Sequence, residues 1–202
     1  SEVRPGDFVL SRTTAPVVSA CIRALSKGIP AAVIGRDLGK SLTALAKKVR
    51  KTAEHDDVPA FVESCLDWRD REIQKLEKKI PVPEAAIDAL GDRASCLVAF
   101  ADVSDTVDEI FERIDGVCRE DGSTDRVDFS NTHQVKGSER DRVFMFVETF
   151  MQPRKDRVTG EWLPPADEER RIRYVATTRA KNELVYVTGV KKMTRRSHGG
   201  EE

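Results

Sequence analysis

The chain has little cysteine, no long apolar run and no excess of either charge. Its four cysteines, Cys21, Cys65, Cys96 and Cys118, are far apart and form no Cys-x-x-Cys pair. That spacing argues against a zinc site or a disulfide scaffold and for reduced thiols in a cytoplasmic protein. No run approaches the roughly 20 apolar residues of a membrane-spanning helix. The segment Ser1-Glu2-Val3-Arg4-Pro5 has no apolar signal core. Lysine and arginine total 34 against 35 acidic residues, a formal net charge of −1. A basic coat for nucleic acid is thereby excluded, and any such contact must use a local patch or groove. The phosphate-loop pattern Gly-x-x-x-x-Gly-Lys-[Ser/Thr] is also missing. The segment Gly35 to Ser41 ends in Gly-Lys-Ser, but Ile34 stands where the first glycine is required, so the segment reads as non-catalytic.

What is present suits one domain, or one domain carrying an insertion: 202 residues, 39% hydrophobic and 34% charged. Phe8-Val9-Leu10 reads as a buried strand. Thr13 or Thr14 is the expected cap of a helix with Pro16 in its first turn, and Gly28 is expected to end it. Ala31-Ala32-Val33-Ile34 reads as the next strand, which makes a strand–helix–strand unit of the parallel α/β kind. From about Leu38 to Arg119 the signals are helical. Leu38, Leu42, Leu45 and Val49 form one stripe, Phe61, Cys65 and Trp68 another, and Ser104 is the expected cap of a last helix over Val107 to Val117. Strand signals return at Val127-Asp128-Phe129, at Val143 to Val147 and at Leu184 to Val187. A hairpin is expected around Thr159-Gly160 and a helix over Ala166 to Thr178.

Three polar segments lie where strands or helices end, the place at which α/β folds hold ligands. Arg12 follows the first strand. Asn131 to Glu139 joins two strands and offers His133, Lys136 and Glu139 at spacings of three, with Gly137 permitting close backbone approach. Arg179 ends the last helix, and its guanidinium is planar, always charged and rich in donors. Taken singly, each also fits a solvated turn or a basic helix end.

Their order resembles motifs IV, V and VI of the second motor domain of UvrD/Rep-type superfamily 1 DNA helicases. The residues that carry the likeness are Arg12-Thr13, Thr132-His133-x-x-Lys136-Gly137-x-Glu139, and Glu169-Arg170-Arg171 followed by Tyr174-Val175-Ala176-x-Thr178-Arg179-Ala180-Lys181. Ser138 stands where the family has leucine, and Asn131 where it has threonine. The resemblance implies a RecA-like parallel-sheet α/β domain of the helicase C-terminal type over 1–37 and 127–190. A helical insertion over 38–126 and a disordered tail over 191–202 complete the expected organisation. It also implies an ATP-dependent helicase that translocates on single-stranded DNA and acts in DNA repair or replication. Arg12 and Arg179 are then expected to act as arginine fingers on the γ-phosphate. Glu139 and Gly137 would lie beside the nucleotide, and Thr132, His133 and Lys136 beside the DNA. ATP with Mg2+ would be held mainly by an N-terminal motor domain, so the isolated chain is expected to be inactive. Tyr174 and Arg171 are expected to pack or couple. A non-catalytic adaptor that binds DNA or a partner protein is the alternative, with the helical middle as a cap, a partner surface or a packing element.

Overall fold

The computed structural model describes residues 2–135, 137–150, 154–155, 159–163 and 167–189. Lys136 and the tail 191–202 lie outside the described residues, as do parts of the segment around the expected hairpin. The chain runs β1 (Phe8–Ser11), α1 (Ala15–Ser26), β2 (Ala31–Ile34), α2 (Leu38–Arg50), α3 (Val58–Glu77), α4 (Glu84–Ala101), α5 (Val107–Val117), β3 (Cys118–Arg119), β4 (Val127–Asn131), β5 (Arg140–Phe146), β6 (Arg154–Lys155), β7 (Trp162–Leu163), α6 (Asp167–Thr177) and β8 (Ala180–Val187). Six strands form a sheet in the order β3-β2-β4-β1-β5-β8. Every pairing in it is parallel. This is the expected α/β, RecA-like arrangement.

The central strands are apolar on both sides because both faces are covered. Side chains alternate between the faces of a strand. On β1, Val9 joins the large core beneath α1 to α5. Phe8 and Leu10 join a smaller core with Ile172 and Ala176 of α6 and with Val135. On β5 the same alternation sends Phe144 and Phe146 to the first core and Val143 and Met145 to the second.

The four helices α2 to α5 do not form a core of their own. Leu42, Val49, Phe61, Cys65, Leu97, Phe100, Ile110 and Ile114 are buried in one cluster with Val9, Val33, Phe129 and Phe144 of the sheet. The short strand β3 extends the sheet from the end of α5, pairing Cys118 with Val33. Two caps differ from expectation. At α1 the Thr14 side chain makes no capping bond; instead the Asp92 carboxylate of α4 accepts the Thr14 amide at 2.7 Å and the Ala15 amide at 2.8 Å. At α5 the cap is Thr106, whose hydroxyl accepts the Glu109 amide at 3.2 Å. Ser104 is buried and donates to the Phe100 carbonyl at 2.9 Å. Gly28, at φ 74°, closes α1 as expected. The hairpin also forms, with Arg154 opposite Leu163 and Lys155 opposite Trp162.

Candidate functional site

All six strands point the same way, so the sheet has one carboxyl edge and one amino edge. The predicted site residues divide between them.

At the carboxyl edge, Arg12 leaves β1. Its Nε donates to both Glu169 oxygens, at 2.9 and 3.1 Å. Glu169 lies in the acidic first turn of α6, where a carboxylate also suits the helix dipole. The Arg12 Nη1 stands 2.8 Å from His133 Nε2, and the Arg12 amide donates to Thr149 Oγ1 at 2.9 Å. Arg12 therefore ties together the end of β1, the loop after β4 and the start of α6.

That loop is held at its root. The Asn131 Oδ1 accepts the amides of His133 and Gln134 at 3.1 and 3.2 Å, an Asx-type turn. Asn131 Nδ2 donates to Thr14 Oγ1 at 2.9 Å. Thr132 is buried, and both its amide and its hydroxyl donate to the Ser11 carbonyl, at 3.0 and 3.1 Å. The expectation that Thr132 touches DNA is corrected accordingly: its polar groups are spent on the neighbouring strand. His133 and Gln134 are exposed. Val135 then dives into the smaller core against Phe8 and Leu10. Gly137 takes φ 82°, a conformation that suits glycine, with open space around its Cβ position. The loop so crosses β1, which lies between β4 and β5, and reaches the amino edge at Glu139.

At the amino edge, Glu139 is exposed and precedes β5. Arg179 precedes β8 and is half-buried. Its Nε donates to the Val175 carbonyl at 3.1 Å, its Nη2 to Thr178 Oγ1 at 3.1 Å and its Nη1 to the Ser138 carbonyl at 3.5 Å. The Arg140 amide donates to the Arg179 carbonyl at 3.0 Å. Glu139 and Arg179 are thus brought together by the first rung of the β5–β8 ladder.

Arg12 and Arg179 are not brought together. β5 has seven residues, and at about 3.3 Å per residue it sets the two edges roughly 20 Å apart. α6 runs back along the sheet, and Glu169 in its first turn and Arg179 just past its end stand about 15 Å apart along the helix. The expectation that both guanidiniums converge on one γ-phosphate is corrected on this ground. Tyr174 is 69% exposed on α6, so it does not pack within this domain.

The Gly35–Ser41 segment forms no phosphate-wrapping loop. Only Gly35, Arg36 and Asp37 separate β2 from α2. Lys40 is exposed and paired with Asp37 at 3.3 Å and Glu120 at 2.9 Å. Among the described residues no group of three His, Cys, Asp or Glu side chains is placed to hold a metal ion. No helix among them is long and apolar enough to cross a membrane.

Sequence reading missed a charged layer at the amino edge. Asp7 is buried beneath Arg142, which donates to it at 2.9 and 2.6 Å. Asp128 is fully buried beneath Arg126 and Arg140. The available signal was an acid placed inside apolar strands, since buried carboxylates need paired donors.

A wholly parallel sheet covered on both faces, with polar loops at both edges and an arginine entering the last strand, defines a RecA-like motor domain. The chain matches the family of the UvrD-like helicase C-terminal domain over residues 45–191, and it belongs to that family. The matched stretch contains the loop from Asn131 to Glu139 and the segment ending in Arg179, but not Arg12. No curated protein matches the chain.

Proposed function

We propose that this domain is the second half of an ATP-dependent DNA helicase and single-strand translocase. Its amino edge faces a magnesium-bound ATP gripped by an N-terminal motor domain, in the cytoplasm of the cell. Arg179 is the arginine finger, and Glu139 and Gly137 line the nucleotide side beside it. His133 and Lys136 meet the single-stranded DNA. Arg12 acts as a brace for His133 and α6, not as a second finger.

One observation carries this reading: a single loop, 132–139, runs from the edge that bears His133 to the edge that bears Glu139 and Arg179. Val135, buried between the two ends, anchors the loop to the core and so fixes His133 and Glu139 relative to the sheet. Phosphoryl transfer spreads negative charge over the transferred oxygens, and a guanidinium placed there stabilises it. When the interdomain cleft closes, Arg179 exchanges its contacts with its own helix end for the phosphate.

The test is Arg179→Ala in the intact protein carrying both motor domains. Loss of a finger lowers turnover by about 10³ to 10⁵, while nucleotide binding changes far less. A variant that kept more than half of the wild-type rate would remove Arg179 from the reaction.

A further inference from the structure

The amino edge contains a buried carboxylate that the proposed chemistry does not use. Asp128 lies on β4 with a fully buried side chain. Its Oδ2 accepts the Ser123 amide at 2.8 Å and Arg140 Nη2 at 3.0 Å, and its Oδ1 accepts Arg126 Nε at 3.2 Å. Burial pushes the Asp128 carboxyl up, and the Ser123 amide and the two guanidiniums oppose it. Space around the pair is closed. A Cβ at Gly122 would stand 2.6 Å from Asp128 Oδ2 and 2.9 Å from Arg140 Nη2.

Arg140 is held in three further ways. Its guanidinium lies over the Phe8 ring at 5.1 Å. Its Nη1 donates to the Glu139 carbonyl at 3.1 Å. Its backbone amide donates to the Arg179 carbonyl at 3.0 Å. Arg140 therefore reaches both sides of the nucleotide-facing edge, the Glu139 carbonyl through its side chain and the Arg179 carbonyl through its backbone amide, and Asp128 fixes that side chain.

We propose that Asp128 and Arg140 form a positioning brace that holds Glu139 and Arg179 in register for ATP hydrolysis. The inference rests on the assignment of Arg179 as the finger. A guanidinium is required at position 140 because two bonds diverge from it, one to Asp128 and one to the Glu139 carbonyl. An ammonium is a point charge without the planar fork. The neighbouring pair of Asp7 and Arg142 supplies a control. It is buried at the same edge and as tightly bonded, but it reaches the Glu2 carbonyl at 3.1 Å and neither Glu139 nor Arg179.

The experiment compares Asp128→Asn, Arg140→Lys and Asp7→Asn in the intact two-motor protein. Three quantities are read: steady-state ATP turnover, the KM for ATP, and hydrogen exchange at the Arg140 amide. Displacing a catalytic group by about 1 Å costs on the order of 100-fold. Asp128→Asn and Arg140→Lys should therefore lower kcat at least about tenfold with little change in KM, and speed exchange of the Arg140 amide. Asp7→Asn should do neither, even where it lowers stability as much. Arg140→Lys keeps the charge beside Asp128 and serves if Asp128→Asn does not fold. Equal kcat and equal exchange in the Asp128, Arg140 and Asp7 variants would overturn the brace. Arg179→Ala run alongside separates the two ideas: if it retains turnover, the finger fails, and the exchange rate of the Arg140 amide still decides whether the brace exists.

Discussion

The Arg12 guanidinium and the Glu169 carboxylate meet at 2.9 and 3.1 Å across 157 residues of sequence. Their side chains are only 26% and 18% exposed. A charge-assisted contact so shielded from water is stronger than a surface ion pair.

The pair therefore has a stability signature. Arg12→Ala and Glu169→Ala should each lower the unfolding free energy by about 1–2 kcal/mol, and the double variant should cost less than their sum. Urea titration of the four proteins checks this through the midpoint at constant slope. A finger at position 12 would show the opposite pattern, with stability unchanged and turnover abolished.

The loop should show a salt signature. His133→Ala with Lys136→Ala should weaken single-strand binding and reduce the slope of log K against log salt. Each lost phosphate contact removes about 0.7 from that slope. Fluorescence anisotropy over a salt series measures it, and an unaltered slope would detach the loop from DNA.

Gly137 should resist substitution for reasons of backbone alone. A Cβ there has open space, but φ 82° is unfavourable for other residues. Gly137→Ala should cost about 1–2 kcal/mol and disturb the path from Val135 to Glu139. The expected readout is faster hydrogen exchange at Ser138, whose amide donates to the Val135 carbonyl at 3.1 Å.

The thiols should be slow to react. Burial pushes Cys65 up to about 12 and Cys118 to about 11, and raises Cys21 and Cys96 as well. The thiolate is the nucleophile, so a disulfide reagent at pH 8 should label the native protein slowly. Cys118, only partly buried on β3, should go first. All four should react at once in denaturant. Fast labelling of Cys21, Cys65 or Cys96 in the native protein would contradict the packing of α1, α3 and α4.

Much of the fold was legible because its signals are local. Phe8 to Leu10, Ala31 to Ile34 and Val143 to Val147 are short apolar runs, and the stripe Leu42, Leu45, Val49 has helical spacing. The cap at α1 was not legible, since Asp92 acts from 78 residues away. Nor was the two-residue β3, which exists only because β2 offers it an edge. The separation of Arg12 from Arg179 is implicit in the parallel order of the strands. A residue that leaves a parallel strand and one that enters a parallel strand lie at opposite edges, whatever the order of motifs along the chain. The loop from Asn131 to Glu139 forms one polar segment in sequence, although its two ends stand at opposite edges.

The shared packing of α2 to α5 with the sheet limits how this chain can be edited. Excising 38–126 would uncover the face of α1 that packs on α4, and remove β3 and the Ser123 amide that Asp128 accepts. Phe61 alone is 1% exposed, and its truncation to alanine would cost about 3–5 kcal/mol. Shortening or fusion is tolerated best at the turn between α3 and α4, where Ile80 is 99% exposed. A reporter or tether grafted there would lie outside the loop 131–139 and the segment ending in Arg179.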